Sequence, residues 1–344
     1  MDNPYVKQFP ELMKGKTMRY VHGFGSSGQS GTVSRLRTVF PNAKVVAPDL
    51  PVHPAEAQAL LKKLCAEEKP QLILGTSMGG MYTEQLYGFD RICMNPALCI
   101  ADTMQAHGMT GIQQFQNPRQ DGVQEFYVDK AMVKEYREVS EQRFSGLASL
   151  SPKGQEEERQ RVFGLFGDKD DVVDTFDLFR SYYPNAAHFH GGHRMDDKSF
   201  MHAVVPVIRW IDDRQEGRER PIIYIGMESL SPDLSPRGEG RRDPRSSAQK
   251  AVRMLIEQYQ VYFVAPLPWE GDGGRFLLSW LEEYIGVPAW DHTIFTNQRH
   301  LLYGDYLIET EKTKGTMATS IEFGSDTFKT WEDIIDYFSL LGGQ

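Results

Sequence analysis

Gly75-Thr76-Ser77-Met78-Gly79 has the G-x-S-x-G spacing of a serine nucleophile turn. Such a turn holds its serine on a strained backbone, and the glycines spare it side chains that would clash. The strain lifts the hydroxyl above a sheet. A strand-like run, QLILG (71–75), leads in, and the helix-compatible MYTEQLYG follows. A plain glycine-rich strand-to-helix turn is the bland alternative. A serine hydroxyl is a weak nucleophile and needs a base, which in turn needs an orienting carboxylate. On a sheet of this kind the chain order is serine, acid, histidine. The stretch FGDKDDVVD (166–174) offers Asp168, Asp170 and Asp171. Asp170 is the choice, in a G-x-x-D turn that starts at Gly167; Asp168 is its rival and could instead shape the turn. HFHGGHRM offers His188, His190 and His193. His193 follows a glycine pair, which suits a loop that lifts an imidazole to the sheet edge. His190 and His202 are the rivals, and His202 falls in a predicted helix. Acyl transfer also needs backbone N–H groups facing the developing oxyanion. The amide of Met78, just after the nucleophile, is one candidate donor. The amide of Phe24, in the loop HGFGSSGQSG (22–31), is the other, with His22 supporting the loop. That loop lacks the Lys-Ser/Thr ending of a phosphate-binding turn.

These residues need a scaffold that brings distant loops together. Short apolar strands are expected at 18–24, 43–49, 71–75, within 90–98, at the start of 161–173, and at 185–192. Helices are expected at 54–68 and 198–213. That alternation predicts a parallel sheet covered on both faces. Residues 99–160 break the rhythm, with a loop-like stretch and then an amphipathic helix in DKAMVKEYREVSEQRF, and read as an inserted helical cap. The first domain is expected over 1–213 and a charged linker over 214–220. A second, smaller α/β domain is expected over 221–344, with strands at 221–230, 261–267, HTIFT and DYLIET.

The chain has 344 residues, more than one core usually serves. The net charge of -9 argues against nucleic acid as the main partner. The three cysteines, Cys65, Cys93 and Cys99, have no CxxC spacing, which fits a reducing compartment. No apolar run approaches the ~20 residues that span a bilayer, and the N-terminal stretch lacks a signal-peptide core. A cytoplasmic protein with no membrane or nucleic-acid partner is expected, with no cofactor and no metal.

Residues 18–213 resemble an α/β-hydrolase of the YqiA-like esterase group. The resemblance lies in YVHGFGSSGQSGTVSRLR, APDLPVHP, GTSMGGMYTEQL, NPAL, NPRQDG and GGHRM. It implies hydrolysis of carboxylic ester or thioester bonds, with Ser77, Asp170 and His193 at the triad positions. Residues 221–341 resemble haloacid-dehalogenase-like phosphatases of the 5′(3′)-deoxyribonucleotidase branch. VYFVAPLPW, HTIFTNQRHLLYGDYLIET and SIEFGSDTFKTWEDIIDYF carry that resemblance. It implies a Rossmann-like domain whose opening strand should end in D-x-D, with an aspartate nucleophile. Here Gly226 stands at the nucleophile position and Glu228 at the general-acid position. Ala265 replaces a phosphate-binding Ser/Thr, and Arg299 or His300 stands near the expected lysine. Asp305 and Glu309 remain as carboxylates able to hold magnesium, while Thr310 replaces another. Without its nucleophile a covalent phosphoryl-transfer mechanism fails. The second domain is expected to be catalytically inactive. The arginine-rich SPRGEGRRDPR reads as a solvated loop or a phosphate contact. The alternative for the whole chain is a nucleotide-binding or scaffolding pseudoenzyme; active phosphatase chemistry is a third reading.

Overall fold

The computed structural model describes residues 3–230, 245–267 and 273–341. The arginine-rich loop lies outside the described residues. The chain forms two compact units, Met1–Phe200 and Met201–Gln344.

In the first unit, six strands form one parallel sheet: β1 (Thr17–Val21), β2 (Lys44–Val46), β3 (Leu72–Thr76), β4 (Arg91–Met94), β7 (Val162–Gly167) and β8 (Ala186–Phe189). Their order is β2-β1-β3-β4-β7-β8. The central strands β3 and β4 are buried on both faces, as their unbroken apolar runs require. Each expected strand is present; most are shorter than expected, while β3 keeps its length and shifts by one residue. Between β4 and β7 the inserted segment holds more order than its composition suggests. The stretch expected to be loop-like contains a helix, Ile100–Ala106, and an antiparallel hairpin of β5 (Gly111–Gln114) and β6 (Glu125–Val128). Polar Gln113 and Gln114 hid β5, whose burial alternates along the strand. The amphipathic helix is present as Lys130–Ser140, and the Asp129 carboxylate caps it by accepting from the Met132 N–H at 2.8 Å.

The expected closing helix is broken. A helical turn at Asp197–Ser199 passes into a π-helical turn, Phe200–Val204, before the helix Val205–Glu216. Pro206 has no N–H to donate to the preceding turn, which accounts for the irregular winding. This helix belongs to the second compact unit and is anchored within it. Arg209 donates to the Tyr259 carbonyl at 3.3 Å, and Trp210 stacks on His292 with ring centroids 4.8 Å apart. The charged segment that follows is tied down as well: Asp213 pairs with both Arg218 and Arg220.

The second unit is also α/β. Five parallel strands run in the order β11 (Thr293–Phe295), β10 (Gln260–Ala265), β9 (Ile222–Gly226), β12 (Tyr306–Glu309) and β13 (Thr319–Glu322). The helices Arg245–Gln258, Gly273–Tyr284 and Trp331–Leu341 contribute Leu255, Leu281 and Ile334 to a core shared with Ile225 and Phe263. Among the described residues no helix is long and apolar enough to cross a membrane.

Candidate active site

Ser77 stands directly after β3, at the sheet's C-terminal edge, and the helix Met78–Glu84 begins behind it. Its backbone is strained, with φ 58° and ψ -121°. Two glycines make that turn possible. A Cβ on Gly75 would lie 2.2 Å from the Gly79 carbonyl oxygen, and one on Gly79 would lie 2.1 Å from the Val21 carbonyl oxygen. The helix therefore starts hard against β1 and β3, which no larger residue permits.

The hydroxyl has a partner. His193 Nε2 lies 3.0 Å from Ser77 Oγ, and His193 Nδ1 lies 2.8 Å from Asp170 Oδ2. Burial raises the Asp170 carboxyl, but hydrogen bonds from His193 and from the Val173 and Val172 amides outweigh it, and its pKa sits below the ordinary value. An ionised carboxylate only accepts, so Nδ1 carries the proton and Nε2 accepts from the serine hydroxyl. Asp170 is almost wholly buried, while His193 keeps a partly open face.

The rivals are placed elsewhere. Asp168 Oδ2 accepts from Nδ1 of His190 at 2.8 Å, and Oδ1 accepts from the Gly191 N–H at 2.9 Å. Lys169 Nζ lies 3.1 Å from Nε2 of that histidine. This exposed Asp–His pair shapes the loop and does not reach Ser77. His188 stacks on Phe176, and His202 lies in the π-helical turn. Gly167 brings the acid and histidine loops together, since a Cβ there would lie 2.5 Å from the Gly191 carbonyl oxygen.

The candidate oxyanion donors are the amides of Met78 and Phe24. Met78 opens a helix, so its N–H has no partner within that helix. The loop before Phe24 touches Ser77, with a Cβ on Gly23 falling 3.4 Å from Ser77 Cβ. His22 supports that loop: Nδ1 lies 2.9 Å from the Gly23 carbonyl, and Nε2 accepts from the Leu50 N–H at 3.0 Å. Burial holds its pKa below the ordinary histidine value, which keeps Nε2 an acceptor. The inserted segment packs against the side chains of both Phe24 and Met78. Phe126 and Tyr136 sit edge-on to Phe24, with centroids 5.3 and 6.1 Å away. The Tyr136 hydroxyl lies 3.3 Å from Met78 Sδ.

In the second unit Gly226 ends β9. The Glu228 carboxylate fills the space a side chain would need there, with Oε1 2.3 Å from a Cβ built on Gly226. Glu228 is held by both terminal nitrogens of Arg299, at 2.5 and 2.7 Å. Glu309 is fully buried and accepts from the Thr313 amide, the Thr313 hydroxyl and the Ser320 hydroxyl. Arg299 lies 3.8 Å from it. Asp305 does not join this group. It precedes β12 at the opposite edge of the sheet and accepts from the Ile222 N–H at 2.7 Å. Strand direction decides this, since Asp305 and Glu309 flank the strand. Magnesium does not fit this set: of its two nearby carboxylates, Glu228 is paired with a guanidinium and Glu309 is saturated by N–H and O–H donors. Among the described residues no cluster of three or more His, Cys, Asp or Glu side chains is arranged to hold a metal ion. The Arg299 clamp was missed in the sequence, where an arginine was read only as a substitute for lysine.

One family model matches residues 17–209, more than half of the chain, from the start of β1 through the histidine loop. The chain belongs to the uncharacterised protein family UPF0227. This membership bears out the YqiA-like α/β-hydrolase resemblance of the first unit. The deoxyribonucleotidase resemblance also has a counterpart. The chain is similar to a protein described as a putative 5′(3′)-deoxyribonucleotidase of Vibrio phage KVP40, 27% identical over 164 residues, covering 40% of this chain and 96% of the phage protein. Solved structures overlap the chain more loosely. The thioesterase domain from the curacin biosynthetic pathway is 16% identical, with TM-score 0.32, over 59% of this chain and 92% of that domain. Est1E from Butyrivibrio proteoclasticus is 13% identical, with TM-score 0.36, over 61% of this chain and 90% of that protein. Overlaps this loose carry no argument. The fold of this UPF0227 member rests on its own strand order and on the turn after β3.

Proposed function

We propose that the first unit is a serine hydrolase that cleaves carboxylic ester or thioester bonds. The carrying observation is the unbroken hydrogen-bond chain from Ser77 through His193 to Asp170. Ser77 Oγ attacks the carbonyl carbon while His193 Nε2 takes its proton. The Met78 and Phe24 amides stabilise the oxyanion. The imidazolium, held by Asp170, gives its proton to the departing alcohol or thiol. Water, activated by the same imidazole, then releases the acid from the acyl-enzyme. Phe24, Phe126, Tyr136, Val52 and Val172 contribute to one apolar cluster with Met78, which suits a small-molecule substrate with an apolar acyl group. Membership of the family, whose resemblance is to esterases, agrees with ester chemistry in general. The test is labelling by a fluorophosphonate probe. Wild type should label and Ser77→Ala should not; full esterase turnover by Ser77→Ala refutes the proposal.

The second unit, on this reading, has no phosphatase activity. Gly226 has no nucleophile, Arg299 holds Glu228, and Thr313 and Ser320 saturate Glu309, the two carboxylates a metal would need. Magnesium-dependent phosphate release from deoxynucleoside monophosphates, lost in Glu228→Gln, would overturn this. A ligand-binding role has one observation in its favour. A cavity of about 360 Å³ is lined by Lys312, Thr313, Lys314, Gly315, Thr316 and Ser320, a cationic and hydroxyl-rich surface. If it takes phosphate, inorganic phosphate must raise the melting temperature, as any ligand specific for the folded state does.

A further inference from the structure

Asn95, the residue after β4, adopts a left-handed backbone with φ 43°. Asparagine tolerates this conformation better than most side chains, yet it remains a sparsely used one outside glycine. The side chain is buried, and its amide faces three backbone groups of other loops. Nδ2 donates to the Gly192 carbonyl at 3.2 Å and to the His193 carbonyl at 3.0 Å. Oδ1 accepts from the Gly167 N–H at 2.7 Å. Both amide hydrogens thus hold the histidine loop, and the oxygen holds the turn that leads to Asp170.

The main chain around Asn95 serves the third group. The Ser77 N–H donates to the Met94 carbonyl at 2.9 Å, and the Ala97 N–H donates to the Ser77 carbonyl at 3.0 Å. The Asn95 N–H itself donates to the Leu165 carbonyl at 2.8 Å. Residues 94–97 therefore touch the nucleophile turn, the acid strand and the histidine loop at once. Other tethers of the histidine loop lie on either side of residues 192 and 193: beyond them, Arg194 donates to the Gln116 side chain at 2.8 Å and Arg35 donates to the Met195 carbonyl at 3.3 Å. Asp168 accepts from the Gly191 N–H, the Lys169 N–H donates to the Gly191 carbonyl, and the Ser199 hydroxyl donates to the His190 carbonyl. Only the Asn95 amide, among these contacts, grips the carbonyls of residues 192 and 193.

We infer that Asn95 is a positioning residue that sets the placement of His193 between Ser77 and Asp170. The inference rests on the reading of those three residues as a triad. The imidazole must span two hydrogen bonds at once, and its backbone carbonyl is where Asn95 holds it. Asn95→Asp preserves shape and the acceptor for the Gly167 N–H, but turns an oxygen toward two carbonyl oxygens. Asn95→Gly preserves the left-handed backbone and removes all three bonds.

The test uses the full chain and p-nitrophenyl acetate. In both variants kcat should fall about 10- to 100-fold, the scale for misplacing a reacting group by about 1 Å. KM should stay within about threefold, since substrate contacts are untouched. The pH profile of kcat should change shape in the same variants, and the proton NMR resonance of the His193 Nδ1–H should shift or broaden. A merely structural Asn95 would lower the melting temperature and leave all three readouts of the folded protein at wild-type values, which overturns the inference. If Asn95→Asp does not fold, Asn95→Gly decides. If wild type shows neither turnover nor fluorophosphonate labelling, the hydrolase reading falls. The imidazole resonance then decides the positioning claim alone, with an unmoved signal in the variants overturning it.

Discussion

Asp170→Asn tests the proton logic of the site, because the structure dictates how the new amide must face. Asp170 Oδ1 accepts from the Val172 N–H at 2.8 Å and the Val173 N–H at 2.9 Å. An asparagine there keeps its oxygen on those two amides, since turning an NH₂ toward them strands both donors. Each stranded buried donor costs about 1–3 kcal/mol. The NH₂ therefore faces His193 Nδ1, now 2.8 Å from Asp170 Oδ2. Nδ1 must become the acceptor, and the proton moves to Nε2. Nε2 can then no longer take a proton from Ser77. In serine proteases this tautomer error costs about 10⁴ in kcat, which at about 1.36 kcal/mol per decade is near 5.5 kcal/mol of transition-state stabilisation. Folding should survive, because two of the three hydrogen bonds keep their geometry and the third reverses. The assay is kcat for p-nitrophenyl acetate with melting temperature as control. A folded Asp170→Asn protein with kcat within tenfold of wild type refutes the assignment. A large loss in Asp168→Asn instead would move the acid to that residue.

Gly75→Ala should destabilise the first unit by about 1–3 kcal/mol or more, the scale of overpacking, since its Cβ meets the Gly79 carbonyl oxygen at 2.2 Å. Fluorophosphonate labelling should fall with it, and wild-type melting and labelling would refute the packing argument. His22 gives a pH prediction. Burial holds its folded pKa below the ordinary histidine value of about 6.5. The unfolded chain thus binds the extra proton first, and stability is lost as pH falls below that value toward the folded pKa. Melting temperatures from pH 8 to 5.5 should show the loss, with a contribution of up to about 1.4 kcal/mol per pH unit. His22→Gln should flatten that slope, and parallel curves for the two proteins would refute it.

Much of this was legible in one dimension. The apolar runs of β3 and β4 mark buried parallel strands because nothing polar interrupts them. G-x-S-x-G marks its turn because only glycine fits where helix and strands meet. In the second unit, the glycine at position 226, where the resemblance expects an aspartate, is visible in the sequence itself. The hairpin of β5 and β6 was not legible, because Gln113 and Gln114 mimic a loop and the strand is paired only locally. The break at 200–204 was not legible either, since Pro206 is ordinarily tolerated near a helix start.

What the sequence alone determined, then, is local: the strand alternation, the glycine-flanked turn at Ser77, the candidate acids and histidines, and the glycine at position 226. What only the tertiary structure decided is pairing. Asp168 and Asp170 stand two residues apart and each meets a histidine, yet one pair is exposed and the other reaches Ser77. Asp305 and Glu309 share one short segment, yet a strand carries them to opposite edges of the sheet. Arg299 and Asn95 act across 71 and 98 residues of chain respectively, on Glu228 and His193. Contacts over such separations depend on strand order and loop height, which no spacing within a motif records.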